Sequence, residues 1–328
     1  MRNVSTVIVP GAAGPAGINT IKGLRMGGFD GKILATDSNE LAAGFFLTSD
    51  HIVMPEVVAE NSFVEKLFQI VAEKKVQLLM PSSHYDIFPY SKYRKELEQL
   101  GAIPVVTDLA RLEICRDKLL TYQSLSRRFD LPFTSMDSYK AKFPAIAKPR
   151  FGKGSRNVIK VEDENELQFV KFKYKDMVYQ EFLPGNEYTV DVLSDLSKEP
   201  VMAVPRMRLQ TKAGVSTRGR VVRNTELEEK CMQIAKSMGI VGPCCVQMKE
   251  TADGTPKLIE INPRMGGGTI FTTLAGANFP KMILDMVEGR QIKIPKVSEV
   301  TVVRYYEEII VGEEKQERKR FFANRSEY

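Results

Sequence analysis

Two short runs with a turn between them, Cys244 to Lys249 and Lys257 to Arg264, limit what this chain can fold into. In the second run Ile259 and Ile261 alternate with Glu260 and Asn262, which predicts a strand with one apolar and one polar face. Asp253-Gly254 between the runs is a strong hairpin signal. With those two residues as the loop, Ala252 faces Thr255, and counting outward sets Gln247 against Glu260 and Cys245 against Asn262. Directly opposed residues point the same way, with Cβ atoms about 4.5–5.5 Å apart. Gln247, Glu260 and Asn262 then offer oxygen-bearing side chains on one face. Oxygen ligands on a rigid strand suit Mg²⁺, which is usually held by one or two protein groups together with substrate phosphates. Arg264 follows at once and could contact a phosphate. The plainer reading is a polar strand edge facing solvent. The trio, followed by Pro263-Arg264 and the run Gly266-Gly267-Gly268, weighs against it.

This stretch resembles the metal-binding end of the ATP-grasp superfamily. There an acidic or amide residue on one strand and an E-x-N pair on the next hold Mg²⁺ against the phosphates of ATP. Gln247 at the first position, with Glu260-Ile261-Asn262-Pro263-Arg264 on the second strand, is most similar to the carbamoyl-phosphate synthase large-subunit branch. The resemblance implies an α/β chain in three parts. These are a Rossmann-like pre-ATP-grasp domain over 1–107, an A/lid subdomain over 108–184, and a C-terminal subdomain with the metal site over 185–328. The last two form an ATP-grasp fold, two α+β subdomains clasping ATP. It also implies that Gln247, Glu260 and Asn262 are ligands for Mg²⁺, with Mn²⁺ as an alternative, and that Arg264 supports phosphoryl transfer.

Composition bounds the rest. The chain has 328 residues, 43% of them hydrophobic, enough for a sizeable core or for two to three domains. No run approaches the ~20 apolar residues of a membrane helix, and the apolar run Val4 to Val9 is short and leads into a glycine turn, unlike a signal peptide. Cys115, Cys231, Cys244 and Cys245 have no zinc or redox spacing, which suits a reduced, cytoplasmic protein. A net charge of +6 fits a polyphosphate or anionic ligand as well as an ordinary surface. Basic and aromatic residues interleave only in Lys315 to Phe322, so nucleic acid is not expected.

At the N-terminus, a strand Ser5 to Val9, a small-residue turn Pro10 to Gly17, a helix Ile18 to Met26 and a strand Lys32 to Thr36 make a βαβ start. The turn reads G-x-x-G-x-x-G, so close packing is favoured over dinucleotide binding. A helix Phe63 to Glu73 and a strand Val76 to Met80 lead to Pro81-Ser82-Ser83-His84-Tyr85-Asp86, at the end where open α/β sheets bind ligands. A helix to Leu100 and a strand Ile103 to Val106 follow, and then one helix over Asp108 to Phe129. The resemblance makes Lys118 in that helix a phosphate contact; the alternative is a surface lysine.

Phe143 to Arg150 reads as a strand carrying Lys148, and Phe151 to Val158 as a flexible basic turn whose N–H groups can wrap phosphate. It is similar to the family's lid hairpin, which implies Lys148 on the α- and β-phosphates and Gly152, Gly154 and Ser155 over the γ-phosphate. Asn157 stands where a third glycine is common. Gln180, Glu181, Phe182 and Leu183 look, from residues alone, like an ordinary strand and turn; the resemblance makes them the adenine-holding segment and Glu187 the ribose contact. Arg206 and Arg208 share a strand face, and with Lys212 and Arg218 they make a cation cluster for triphosphate and a carboxylate, or a solvated basic loop. A helix Glu226 to Met238 ends at Gly239, the glycine run leads into a helix through Ala275, and a strand Val300 to Tyr306 closes the chain.

The resemblance implies an ATP-dependent carboxylate–amine or ammonia ligase working through an acyl phosphate on small-molecule substrates, with a homodimer left open. The alternatives are phosphorylation of bicarbonate or carbamate, a nicotinamide-dependent oxidoreductase using the Gly11 to Gly17 turn, and a nucleotide-binding protein without chemistry.

Overall fold

The computed structural model describes residues 3–152 and 154–311. The first unit contains β1 (Thr6–Pro10), α1 (Pro15–Met26), β2 (Lys32–Asp37), β3 (Asp50–Val53), α2 (Glu60–Glu73), β4 (Leu78–Leu79), α3 (Ile87–Lys92), α4 (Arg94–Gln99) and β5 (Ile103–Pro104). Its sheet is parallel, in the order β3-β2-β1-β4-β5. Val7 and Val9 of β1 enter one core and Ile8 enters another, so the strand is covered on both faces, as parallel strands are. Proline fixes the first helical φ, and α1 accordingly starts at Pro15 rather than Ile18. The edge strand β3 escapes the sequence pattern because its residues are only half-buried on alternate positions.

The single helix expected over Asp108 to Phe129 is two, α5 (Leu109–Arg116) and α6 (Lys118–Leu125). Asp117 breaks it. Its backbone is extended, its Oδ1 accepts the Leu119 and Leu120 N–H groups at 2.9 and 3.2 Å, and Arg150 binds its carboxylate with Nε and Nη2. An aspartate is worth more as the cap of a new helix than inside an old one. β6 (Thr134–Ser135), β7 (Ala145–Pro149), β8 (Ile159–Val161), α7 (Glu164–Lys173) and β9 (Met177–Glu181) follow, in an antiparallel sheet ordered β6-β9-β7-β8.

The third sheet takes β10 (Glu187–Ser194), β11 (Pro200–Lys212), β12 (Val215–Val221), β13 (Gly242–Glu250), β14 (Pro256–Asn262) and β15 (Thr301–Val303), in the order β14-β13-β10-β11-β12-β15. Helix α8 (Thr225–Met238), stopped by Gly239 at φ +60°, packs Leu227, Cys231, Ile234 and Met238 on Val190, Val192, Cys244, Val246 and Met248. The other face of the sheet turns toward the first unit. There Leu193, Val204 and Val221 share a core with Ala12, Val105 and with Phe271 and Phe279 of α9 (Thr269–Leu274) and α10 (Phe279–Val287). One core thus joins the first and third sheets. The final strand is shorter than the expected Val300 to Tyr306, and Lys315 to Phe322 lies outside the described residues.

Candidate active site

The β13–β14 hairpin sets Gln247 opposite Glu260 and Cys245 opposite Asn262, the expected register. It reaches that register by another route. The loop is not two residues but three, 252–254: Thr251 N–H donates to Thr255 O at 3.0 Å, Gly254 N–H donates to Thr251 O at 3.1 Å, and Gly254 has φ +87°. The Thr251 and Asp253 side chains both accept the Thr255 N–H, and these bonds favour the longer turn. Near the turn, Met248 therefore faces Leu258 and Lys249 faces Lys257. A bulge then inserts Ile259 as an unpaired residue and restores the pairing at Gln247 and Glu260. The apolar face is consequently Leu258 and Ile261, both buried, and not the expected alternation of Ile259 with Ile261.

The polar face of this hairpin forms part of the wall of a cavity of about 730 Å³ between the first and third sheets. Gln247, Glu260, Asn262 and Arg264 line one side. The glycine turn at Gly11 and Gly14, the Ser82-Ser83-His84 segment, and Gly154 and Ser155 of the basic turn line the rest. Neither the Glu260 carboxylate nor the Gln247 amide has a hydrogen-bond or ion-pair partner among the described residues. Asn262 is buried, and its Oδ1 accepts Arg264 Nη2 at 3.2 Å. Arg264 Nη1 donates to Met265 O at 2.8 Å, and Met265 N–H donates to Pro81 O at 2.7 Å, which ties the end of the hairpin to the first unit.

Two lysines stand close to Glu260. Lys148 is buried, and its Nζ donates to Gln180 Oε1 at 2.8 Å; Gln180 Nε2 in turn donates to Thr134 Oγ1 at 2.8 Å. Burial pushes Lys148 down to about 8, against the pull of Glu260, with the neighbouring charge of Lys118 adding to the fall and Glu187 opposing it. Lys118 Nζ donates to Gly152 O at 3.3 Å, and burial lowers it too, opposed by Glu260 and Asp117. In the basic turn, Gly154 lies against Gly214 of the β11–β12 turn, where a Cβ would come within 2.8 Å of the Gly154 backbone. Asn157 adopts φ +55°, a conformation asparagine tolerates better than most residues.

Other candidates are placed differently from expectation. The Gln180 side chain holds Lys148. The Glu181 N–H donates to Phe133 O at 2.9 Å, so it is not free for an adenine edge; the cause is strand β6 pairing alongside. The Glu181 carboxylate is held by Lys257 at 2.8 Å. The Phe182 ring lies under Lys160, and the buried Leu183 leaves its N–H without a hydrogen bond among the described residues. Glu187 is paired with Arg208 and, at 4.0 Å, with Lys249. Arg206 and Arg208 do share the cavity face. Arg218 does not: alternation along β12 puts it on the opposite, exposed face, beside Val303 of β15, and Lys212 sits exposed under the Tyr306 ring. Gly17 serves packing, since a Cβ there would sit 2.3 Å from Gly11 O. The residue that sequence reasoning missed is Asp191, which lines no recognisable motif and shares its strand face with Thr189 by alternation along β10.

Residues 173–309 match the family model described as "ATP-grasp in the biosynthetic pathway with Ter operon". The D-aspartate ligase of Enterococcus faecium (strain Aus0004) is 22% identical over 275 residues, covering 71% of this chain and 65% of that protein. The carbamoyl phosphate synthase large chain of Clostridium botulinum (strain Eklund 17B / Type B) is 26% identical over 215 residues, 61% of this chain and 18% of that one. Over those stretches the chain is similar to ATP-grasp proteins. It spans just under two thirds of the D-aspartate ligase and under a fifth of the synthase chain. The biotin carboxylase domain of Hydrogenobacter thermophilus 2-oxoglutarate carboxylase, solved with MgADP and bicarbonate, shares the fold. Its TM-score is 0.71 at 14% identity, over 90% of this chain and 72% of that one. The ATP-grasp fold thus accounts for all three sheets, and the cavity lies where the first of them meets the last. Among the described residues no helix is long and apolar enough to cross a membrane.

Proposed function

We propose that this chain is an enzyme of the ATP-grasp kind, an ATP-dependent ligase joining a carboxylate to an amine or ammonia. The observation that carries the reading is the pair Gln247 and Glu260, opposed across the hairpin and without partners among the described residues, on the wall of a cavity wide enough for a nucleotide tail and a small substrate. The donor set fits a divalent ion: one free carboxylate, one free amide oxygen, and the Asn262 oxygen close behind. Mg²⁺ held by Gln247, Glu260 and Asn262 would offset charge on the ATP phosphates. Lys148 and Lys118, crowded beside Glu260, suit the phosphates themselves. The N–H groups of Gly154 and Ser155 would close over the γ-phosphate from the basic turn.

In the reaction, a carboxylate oxygen of the substrate attacks the γ-phosphorus while the bond to the ADP oxygen breaks. The amine nitrogen then attacks the carbonyl carbon of the acyl phosphate, phosphate leaves, and the amine proton passes to it. The protein contributes position and charge: Arg264 and Arg206 orient the carboxylate, and Lys148 stabilises the transferring group. No thiol is needed. Cys245, nearest the cavity, is pushed up to about 12 by burial, with Asp191 adding to the rise. The name of the D-aspartate ligase supports an amino acid among the substrates. The four buried, free thiols support a reducing compartment such as the cytoplasm.

The test is ADP release by wild type and Glu260→Ala across a panel of amino acids and other carboxylates. The wild type is expected to release ADP with at least one of them, and the variant to lose roughly a hundredfold or more of that rate. A variant that keeps the wild-type rate would refute the reading.

A further inference from the structure

We infer that Asp191 is a positioning residue that locks Arg206 so that one guanidinium nitrogen, Nη1, is presented to the substrate carboxylate. The inference rests on the ligase reading for the identity of the ligand, while the lock itself is a matter of geometry. Asp191 and Arg206 are 1% and 2% exposed. Arg206 Nε donates to Asp191 Oδ2 at 2.8 Å and Nη2 donates to Oδ1 at 2.7 Å, a two-pronged grip along one edge of the guanidinium. The Thr272 hydroxyl donates to Oδ2 at 2.5 Å, and the Cys245 thiol donates to Oδ1 at 3.3 Å. A carboxylate has about four acceptor sites, so Asp191 is saturated and has nothing left for a ligand.

The guanidinium cannot swing away either. Gly268 lies directly on it: a Cβ built there would stand 2.2 Å from Nη1 and 2.9 Å from Cζ. Nη1 itself donates to no group among the described residues. Nor is it one of the sealed polar atoms without a partner, which are Ser194 Oγ, Arg208 Nε, Glu288 Oε2 and Arg304 Nε. Arg206 lines the cavity, so Nη1 is the part of it a ligand can reach.

The consequence is chemical. Asp191 takes the Nε/Nη2 edge of Arg206, so a substrate carboxylate is left the Nη1 end of the guanidinium, held in one orientation. The site therefore suits a substrate carboxylate bound end-on.

The experiment compares wild type, Asp191→Asn, Arg206→Gln and the double variant, which removes both charges and so leaves no buried unpaired one. ADP release is followed with the carboxylate that gives the highest rate in the panel. Asp191→Asn is expected to raise KM for that carboxylate roughly tenfold or more, with KM for MgATP unchanged. The double variant is expected to be no worse than Arg206→Gln alone. Equal changes in both KM values, no change in either, or losses that add would overturn the proposal. A second readout needs no reaction: the arginine Nε–H signals in NMR, with the Arg206 signal identified by its loss in Arg206→Gln and acetate as the probe. That signal is expected to move on acetate addition in wild type and not in Asp191→Asn. If it moves while no carboxylate yields ADP, the ligase reading fails and the lock stands. If it does not move in wild type, the lock fails.

Discussion

Replacing Lys148 with methionine removes a buried cation from a place where it is costly to the empty protein. Burial lowers Lys148 from 10.5 to about 8. At 1.36 kcal/mol per unit, that displacement destabilises the folded apo protein by about 3 kcal/mol at pH 7. The cost is fully present below the folded value. It disappears as pH rises from about 8 toward 10.5, because there the unfolded chain holds a proton that the folded protein has lost. Methionine removes this cost but leaves Gln180 Oε1 without its donor, a loss of roughly 1–3 kcal/mol. Lys148→Met is therefore expected to be as stable as wild type at pH 7, or up to ~2 kcal/mol more stable. Between pH 7 and pH 10 the wild type should gain on the variant by about 2–3 kcal/mol. Urea unfolding of both proteins at the two pH values measures this, and calorimetry should find MgATP binding by the variant greatly weakened. A stability difference that stays constant with pH would refute the reasoning, as would a variant that binds MgATP like wild type.

The same lysine predicts that MgATP binding to wild type takes up protons above pH 8, since phosphate favours the charged amine. Titrations in buffers of different ionisation heat should detect the uptake, and Lys148→Met should abolish it. Gly268→Ala forces a methyl group into the Arg206 guanidinium and should cost roughly 1–3 kcal/mol by thermal or urea unfolding, with a raised KM for the carboxylate. The bulge in β14 predicts that Ile261→Ala costs about 2–5 kcal/mol and Ile259→Ala less than half of that; simple alternation would make the two equal.

The pairing of Gln247 with Glu260 was legible because a turn dipeptide and a polar stripe point the same way. The details were not: the third loop residue comes from Thr251 and Asp253 side chains bonding across the turn, and the bulge that cancels it is set by core demand for Leu258. The parallel strands read clearly as apolar runs, whereas β3, half-exposed at the edge, carries no such run. The break at Asp117 depends on Arg150, 33 residues away, which no local pattern reports. Arg218 looked like a partner of Arg206 from sequence spacing, but Val221 and Gly219 of β12 pair with Arg206 and Arg208, and alternation turns Arg218 to the other face. Asp191 was invisible for the opposite reason, because its four donors come from β11, β13 and α9 and only the folded sheet assembles them.

The grip of the hairpin on a metal–triphosphate can be measured without knowing either substrate. Mn²⁺ in place of Mg²⁺ gives an electron paramagnetic resonance signal when free, and wild-type protein with ATP should deplete that signal at stoichiometric concentrations. Glu260→Ala, folded to the same thermal midpoint, should leave the signal at the level of Mn²⁺ with ATP alone. Equal depletion by both proteins would contradict the account.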